Sequence, residues 1–107
     1  MNAVVPVINR TDLVINFTVL ANTTHVFNCP ATGIPTPDIV WWQNDELVDP
    51  QHQQHIELLD GGRQLVIHSV SIKDDANYKC LANNTAGQDS QNYSLRVFGQ
   101  ISLHLVS

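Results

Sequence analysis

Apolar and polar residues alternate along this chain in short runs bounded by turn residues, and no helical period lasts two turns. Residues 3–8 and 13–17 are β-branched and apolar, and they flank a polar step at 9–12. Residues 24–29 form another alternating run, which sets Val26 and Cys29 on opposite faces. Residues 30–37 hold three prolines and Gly33, a composition that predicts an irregular crossing with few backbone donors to satisfy. Residues 38–43 are strongly β-forming, 44–46 are turn-like, and Leu47-Val48 suits a short edge strand ended by Pro50. A polar loop at 51–54 leads to runs at 55–59 and 63–70. These join through Asp60-Gly61-Gly62, where glycine accepts the positive φ of a hairpin turn. Residues 76–83 and 93–98 complete the series, with 84–91 connecting them. Eight or nine short strands at this spacing predict an all-β sandwich or barrel.

Composition narrows the class. A chain of 107 residues suits one core, and 43% apolar with 14% charged residues is ordinary for a folded domain. The formal charge is −5, and the five Lys and Arg are spread thinly, so no basic stripe exists to neutralise a nucleic acid. No apolar run approaches the roughly 18 residues of a membrane span, which excludes direct membrane insertion by a helix. Residues 1–10 lack a basic start and are broken by Pro6, so they read as neither a secretory leader nor an anchor. Met1 reads as a start residue added to an excised fragment. Residues 1–3 are then added or linker residues, 4–98 the domain, and 99–107 a poorly ordered linker or tail.

Five N-x-[ST] sequons begin at Asn9, Asn16, Asn22, Asn83 and Asn92, where random placement gives about one. This excess points to a secretory pathway, in which glycans and disulfides both form. The bland reading is that Asn and Thr merely enrich turns. Two cysteines, Cys29 and Cys80, are present. Alone they leave a buried reduced pair open; if bridged, they close a loop worth about 4 kcal/mol.

Trp41 stands twelve residues after Cys29, and Tyr78 stands two before Cys80. With Leu65 in the apolar run Leu65-Val66-Ile67, these are the core positions of a two-sheet sandwich. Four motifs sharpen the pattern: Cys29-Pro30-Ala31-Thr32-Gly33-Ile34-Pro35-Thr36-Pro37, Ile39-Val40-Trp41, Gly62-Arg63-Gln64-Leu65-Val66-Ile67 and Cys80-Leu81-Ala82-Asn83-Asn84-Thr85-Ala86-Gly87. Together they resemble the immunoglobulin superfamily I-set, most closely the modules of hemicentin-type extracellular matrix and adhesion proteins. The resemblance implies an immunoglobulin-like β-sandwich of two antiparallel sheets, joined by a Cys29–Cys80 disulfide over Trp41. It also implies a tyrosine corner at Tyr78 and a structural salt bridge between Arg63 and Asp74. The chain departs from the family pattern at Ala76 and Asp45, both usually glycine. Aspartate tolerates the second backbone well enough for the hairpin to form.

Alternation places Val40, Trp42, Lys79, Leu81 and Arg96 on one outward face, whose composition suits a protein contact. The competing reading has Trp42 half covered by a neighbouring side chain. His52 and His55 lie three apart in a polar loop, without a cysteine or carboxylate cluster, and read as solvated residues rather than zinc ligands. Asp74-Asp75 lacks the alternating oxygen ligands of a calcium loop. No nucleophile with a base partner and no phosphate-cradling loop can be assembled. The expectation is a non-enzymatic interaction and spacer module of a multi-domain extracellular protein, without metal or cofactor. Its partners would be adjacent immunoglobulin modules and matrix or cell-surface proteins. The alternatives are a ligand-binding receptor ectodomain and an intracellular titin-type spacer.

Overall fold

The computed structural model describes residues 2–99; Met1 and the predicted tail beyond Gly99 lie outside the described residues. Strands β1 (Val4–Ile8), β2 (Asn16–Leu20), β3 (His25–Asn28), β4 (Ala31–Ile34) and β5 (Asp38–Gln43) form the first half. Strands β6 (Glu46–Leu47), β7 (Ile56–Leu59), β8 (Gln64–Ile67), β9 (Ala76–Asn84) and β10 (Gly87–Phe98) form the second. One layer is a five-stranded sheet in the order β2-β10-β9-β5-β6, and the facing layer is β3-β8-β7. β1 pairs with β4, which follows β3 after Cys29-Pro30.

Strand alternation fills the space between the layers. Trp41, Tyr78, Cys80, Tyr93, Leu95 and Val97 point inward from the five-stranded sheet. Phe27, Ile56, Leu65 and Ile67 come from the other sheet to meet them. Phe27 sits at the centre, its ring 4.7 Å from Tyr78, 5.4 Å from Tyr93 and 5.9 Å from Trp41. The Cys29–Cys80 disulfide crosses the same layer, with Trp41 directly opposite Cys80 in the sheet. The fold is the all-β, disulfide-joined immunoglobulin-like sandwich that the sequence motifs imply.

Two turns show why their residues are needed. Asn44 and Asp45, with φ of 45° and 67°, carry the chain from β5 to β6 in the left-handed geometry of a tight hairpin. Between β7 and β8 the chain makes a short 3-10 turn, Asp60–Gly62. Gly62 has φ +93°, and a Cβ there would meet the Ile39 carbonyl oxygen at 3.1 Å. That close approach lets the Gly62 carbonyl accept the indole N–H of Trp41 at 2.7 Å.

Of the boundaries that differ from the sequence reading, three do so because pairing overrides composition. Alternation runs on from Leu13 through Val19, and the parallel partner β10 (Ser94↔Asn16 to Phe98↔Leu20) selects 16–20 rather than 13–17 as the strand. The crossing at 30–37 contains a real strand, β4, because its prolines flank 31–34 and leave those donors free to pair with β1. β10 begins at Gly87, not at residue 93. Its polar first half is held by antiparallel pairing to β9 from Gly87↔Asn84 to Leu95↔Ala76.

Candidate functional site

On the outer face of the five-stranded sheet, Val40 lies opposite Leu81 and Trp42 opposite Lys79. Val40, Trp42 and Leu81 are half-buried, while Lys79 is exposed. The Lys79 ammonium stands 5.1 Å from the centre of the Trp42 ring, a cation–π contact that covers part of the indole. Arg96 is on the same face but turned to the chain's own backbone. Its guanidinium donates to the carbonyls of Ala76 and Leu95 and lies 3.6 Å from Asp75. A shallow recess of about 280 Å³ opens beside the indole, lined by Trp42, Asn44, Asp45, Asn77, Lys79 and Asn92.

Asn16, Asn83 and Asn92 all belong to this outer face, on β2, β9 and β10. Asn16 and Asn92 are exposed and Asn83 is half-buried. Asn9 and Asn22 are exposed in turns beyond β1 and β2, Asn22 with φ of 71°.

The expected pairing of Arg63 with Asp74 is not made. Arg63 donates twice to the Ala31 carbonyl, at 3.1 and 2.7 Å, and lies 3.8 Å from Asp60. The buried Asp74 instead faces His55 Nε2 at 2.8 Å and accepts the Ser71 backbone N–H at 2.8 Å. The reason is topological: Arg63 precedes β8, whereas Asp74 follows its far end, where His55 enters β7. Asp74 also supplies the carbonyl that accepts the Tyr78 hydroxyl at 2.7 Å, which closes the corner into β9. Burial pushes the Tyr78 hydroxyl well above the ordinary tyrosine range. His52, the other half of the histidine pair, contacts Asp49 at 2.6 Å rather than joining His55. Among the described residues, no group of three or more His, Cys, Asp or Glu is gathered as metal ligands would be.

Several structural groups escaped the sequence reading. Arg10 grips Asp89 with two nitrogens, at 3.0 and 3.1 Å, while Asp89 also accepts the Ile8 backbone N–H at 2.9 Å. The hydrogen bond from Arg10 holds the Asp89 carboxyl below the usual carboxylate range. These partners are 79 residues apart, so no local pattern announces them. The Tyr93 hydroxyl donates to the Asn28 carbonyl across the two layers, and burial pushes it up to about 12. His25 is buried between Phe17 and Phe27, each with ring centres 4.4 Å away, and burial lowers its pKa.

Both ends of the sandwich carry exposed apolar side chains, as do Val14, Val26, Leu47 and Leu59 elsewhere on the surface. Val4, Val5 and Ile34 are exposed where β1 pairs with β4. At the opposite end Leu20 and Phe98, paired in register, are 64% and 59% exposed, with Ile72 at the same end. These are the places where the described chain enters and leaves the fold.

A disulfide over a buried tryptophan, a tyrosine corner and this strand order define an immunoglobulin-like module. Residues 9–97 match the immunoglobulin I-set domain, and the chain belongs to that family. It is 42% identical over 83 residues to human hemicentin-1, covering 77% of this chain and 2% of that protein. It is 31% identical over 95 residues to neural cell adhesion molecule 1-A of Xenopus laevis, covering 89% of this chain and 9% of that protein. Among solved structures, immunoglobulin domains 1–4 of Sidekick-1 superpose with a TM-score of 0.82 at 21% identity, over 91% of this chain and 25% of that one. That likeness speaks for the fold alone. The relatives are matrix and cell-surface proteins, and the chain spans a few per cent of their length.

Proposed function

We propose that the chain is a non-enzymatic interaction and spacer module of a multi-domain extracellular matrix or cell-adhesion protein. Adjacent immunoglobulin modules and matrix or cell-surface proteins are its partners. The observation that carries this reading is the location of exposed apolar side chains at both ends of the sandwich, Val4 and Ile34 at one and Leu20 and Phe98 at the other. Apolar surface at the points of chain entry and exit favours contact with a serial neighbour. The test uses the parent protein spanning the modules on either side. Leu20→Asp with Phe98→Asp should leave this module folded and increase bending at its C-terminal junction in small-angle scattering. An unchanged scattering profile would remove the end-contact reading.

The extracellular setting has its own test in protein taken from its natural source. A bridged Cys29–Cys80 pair and sugar on at least one sequon are expected. Free thiols with bare asparagines would favour an intracellular titin-type spacer. The lateral face of Val40, Trp42, Lys79, Leu81 and Arg96 supports the alternative of a receptor ectodomain that reads a partner directly. On that reading Trp42→Ala weakens partner capture with little change in thermal unfolding.

A further inference from the structure

The outer face of the five-stranded sheet combines a modification signal with a platform for what the modification would bring. Asn92 begins the sequon Asn92-Tyr93-Ser94 and is exposed on β10. In register it lies opposite Lys79 on β9, and Lys79 lies opposite Trp42 on β5. The three side chains therefore form one row across three neighbouring strands. At the usual strand spacing this row spans roughly 10 Å, the reach of an asparagine side chain and the first sugar rings attached to it. The Trp42 indole is half-buried and forms one wall of the recess that Asn92 also lines. Around it stand Asn44, Asp45 and Asn77, whose amide and carboxylate groups donate to and accept from hydroxyls. An aromatic face bordered by short polar side chains matches the two chemistries of a pyranose, its axial C–H face and its equatorial hydroxyls.

We propose that Asn92 carries an N-linked oligosaccharide whose core N-acetylglucosamine residues lie across Lys79 and stack on the part of the Trp42 ring that Lys79 leaves uncovered. In this inference the occupant of the Trp42 face is the chain's own carbohydrate. In the modification, a bond forms between Asn92 Nδ2 and C1 of the first N-acetylglucosamine. The C1–O bond to a polyprenyl diphosphate donor breaks, and the proton lost by the amide goes to the released diphosphate. The transfer takes place on the nascent chain in the secretory route, before Tyr93 is buried. The sugar then shields Trp42 and fixes which side of the sandwich is closed to proteins. The facing layer, β3-β8-β7, carries no sequon in its strands and stays open.

The inference rests on the extracellular reading, and its test separates the two. The full chain is recovered from the secretory route of the cells that make it, and each sequon is read by glycopeptide mass spectrometry. Sugar on Asn92 is expected. Its loss in Ser94→Ala, which keeps the asparagine, should lower Tm by about 4 °C and shift the Trp42 indole emission. Asn92→Gln should do the same. In a Trp42→Ala background, neither change should lower Tm further. A bare Asn92 beside sugar on Asn9 or Asn16 overturns this inference and leaves the extracellular reading standing. No sugar at any sequon overturns both. Sugar on Asn92 whose removal lowers Tm equally with and without Trp42 overturns the stacking.

Discussion

At the centre of the sandwich Phe27 packs against Tyr78, Tyr93 and Trp41 beside a covalent bridge, whereas at the N-terminal edge β1 sends Ile8 into the core and is otherwise held by pairing to β4 and by polar contacts at the surface. Those edge contacts are the Arg10–Asp89 pair, the Asp89 carboxylate on the Ile8 N–H, and the Asn84 amide on the Val4 carbonyl at 2.8 Å. Both regions join strands that are distant in sequence. The centre does so with desolvated rings and a bond that restricts the unfolded chain, interactions worth several kcal/mol. The edge uses groups that water also satisfies, so each contributes little net free energy. Stability therefore resides mainly in the packed rings and the bridge at the centre, and the polar contacts of the edge can vary without unfolding the domain.

Four measurements would break or sharpen this contrast. Replacing both cysteines with alanine should remove the largest share. The bridge spans 51 residues, and its loss should cost about 4 kcal/mol in urea unfolding. A loss below about 1 kcal/mol would mean that ring packing alone holds the centre. Tyr78→Phe keeps the ring but leaves the Asp74 carbonyl without its 2.7 Å donor, and should cost about 1–2 kcal/mol.

A smaller effect is confined to acid pH. Burial depresses the pKa of His25, and its Nε2 has no protein partner. The unfolded chain then binds a proton more readily than the folded one, so stability rises with pH through this group. The contribution is complete above the ordinary histidine pKa of about 6.5 and is lost as pH falls below it. His25→Phe should flatten that acid limb relative to the parent chain. An identical pH profile would remove His25 as its source. The least effect is expected at the edge. Arg10→Ala should cost about 0.5 kcal/mol and be masked by salt, while speeding amide exchange at Ile8 and leaving exchange at Cys80 unchanged. Equal acceleration at both sites would contradict the division between centre and edge.

Much of the centre was legible in the sequence because its signals are local. Trp41 twelve residues after Cys29, Tyr78 two before Cys80, and alternation through Asp38–Gln43 each fix which side chains face inward. The site residues were legible as positions on a face but not as contacts. Lys79 folding over the Trp42 ring, and Arg96 turning to Ala76 and Asp75, depend on side-chain rotamers that alternation does not encode. The salt bridge that the resemblance implied between Arg63 and Asp74 is not formed, and Asp74 faces His55 instead. Both residues lie beside β7 and β8, and only the direction of those strands separates them.

The chain's own pattern thus determined the strands and the rings that turn inward, because burial follows from a period of two that neighbouring residues carry, while the family motifs implied the two layers and the bridge. Strand limits and polar partners were settled only once the sheets had formed. The first half of β10 is a strand because β9 lies beside it, and Asp89 holds Arg10 because folding brings residues 79 positions apart within hydrogen-bond distance. Such contacts each contribute too little free energy to impose a pattern on the residues around them.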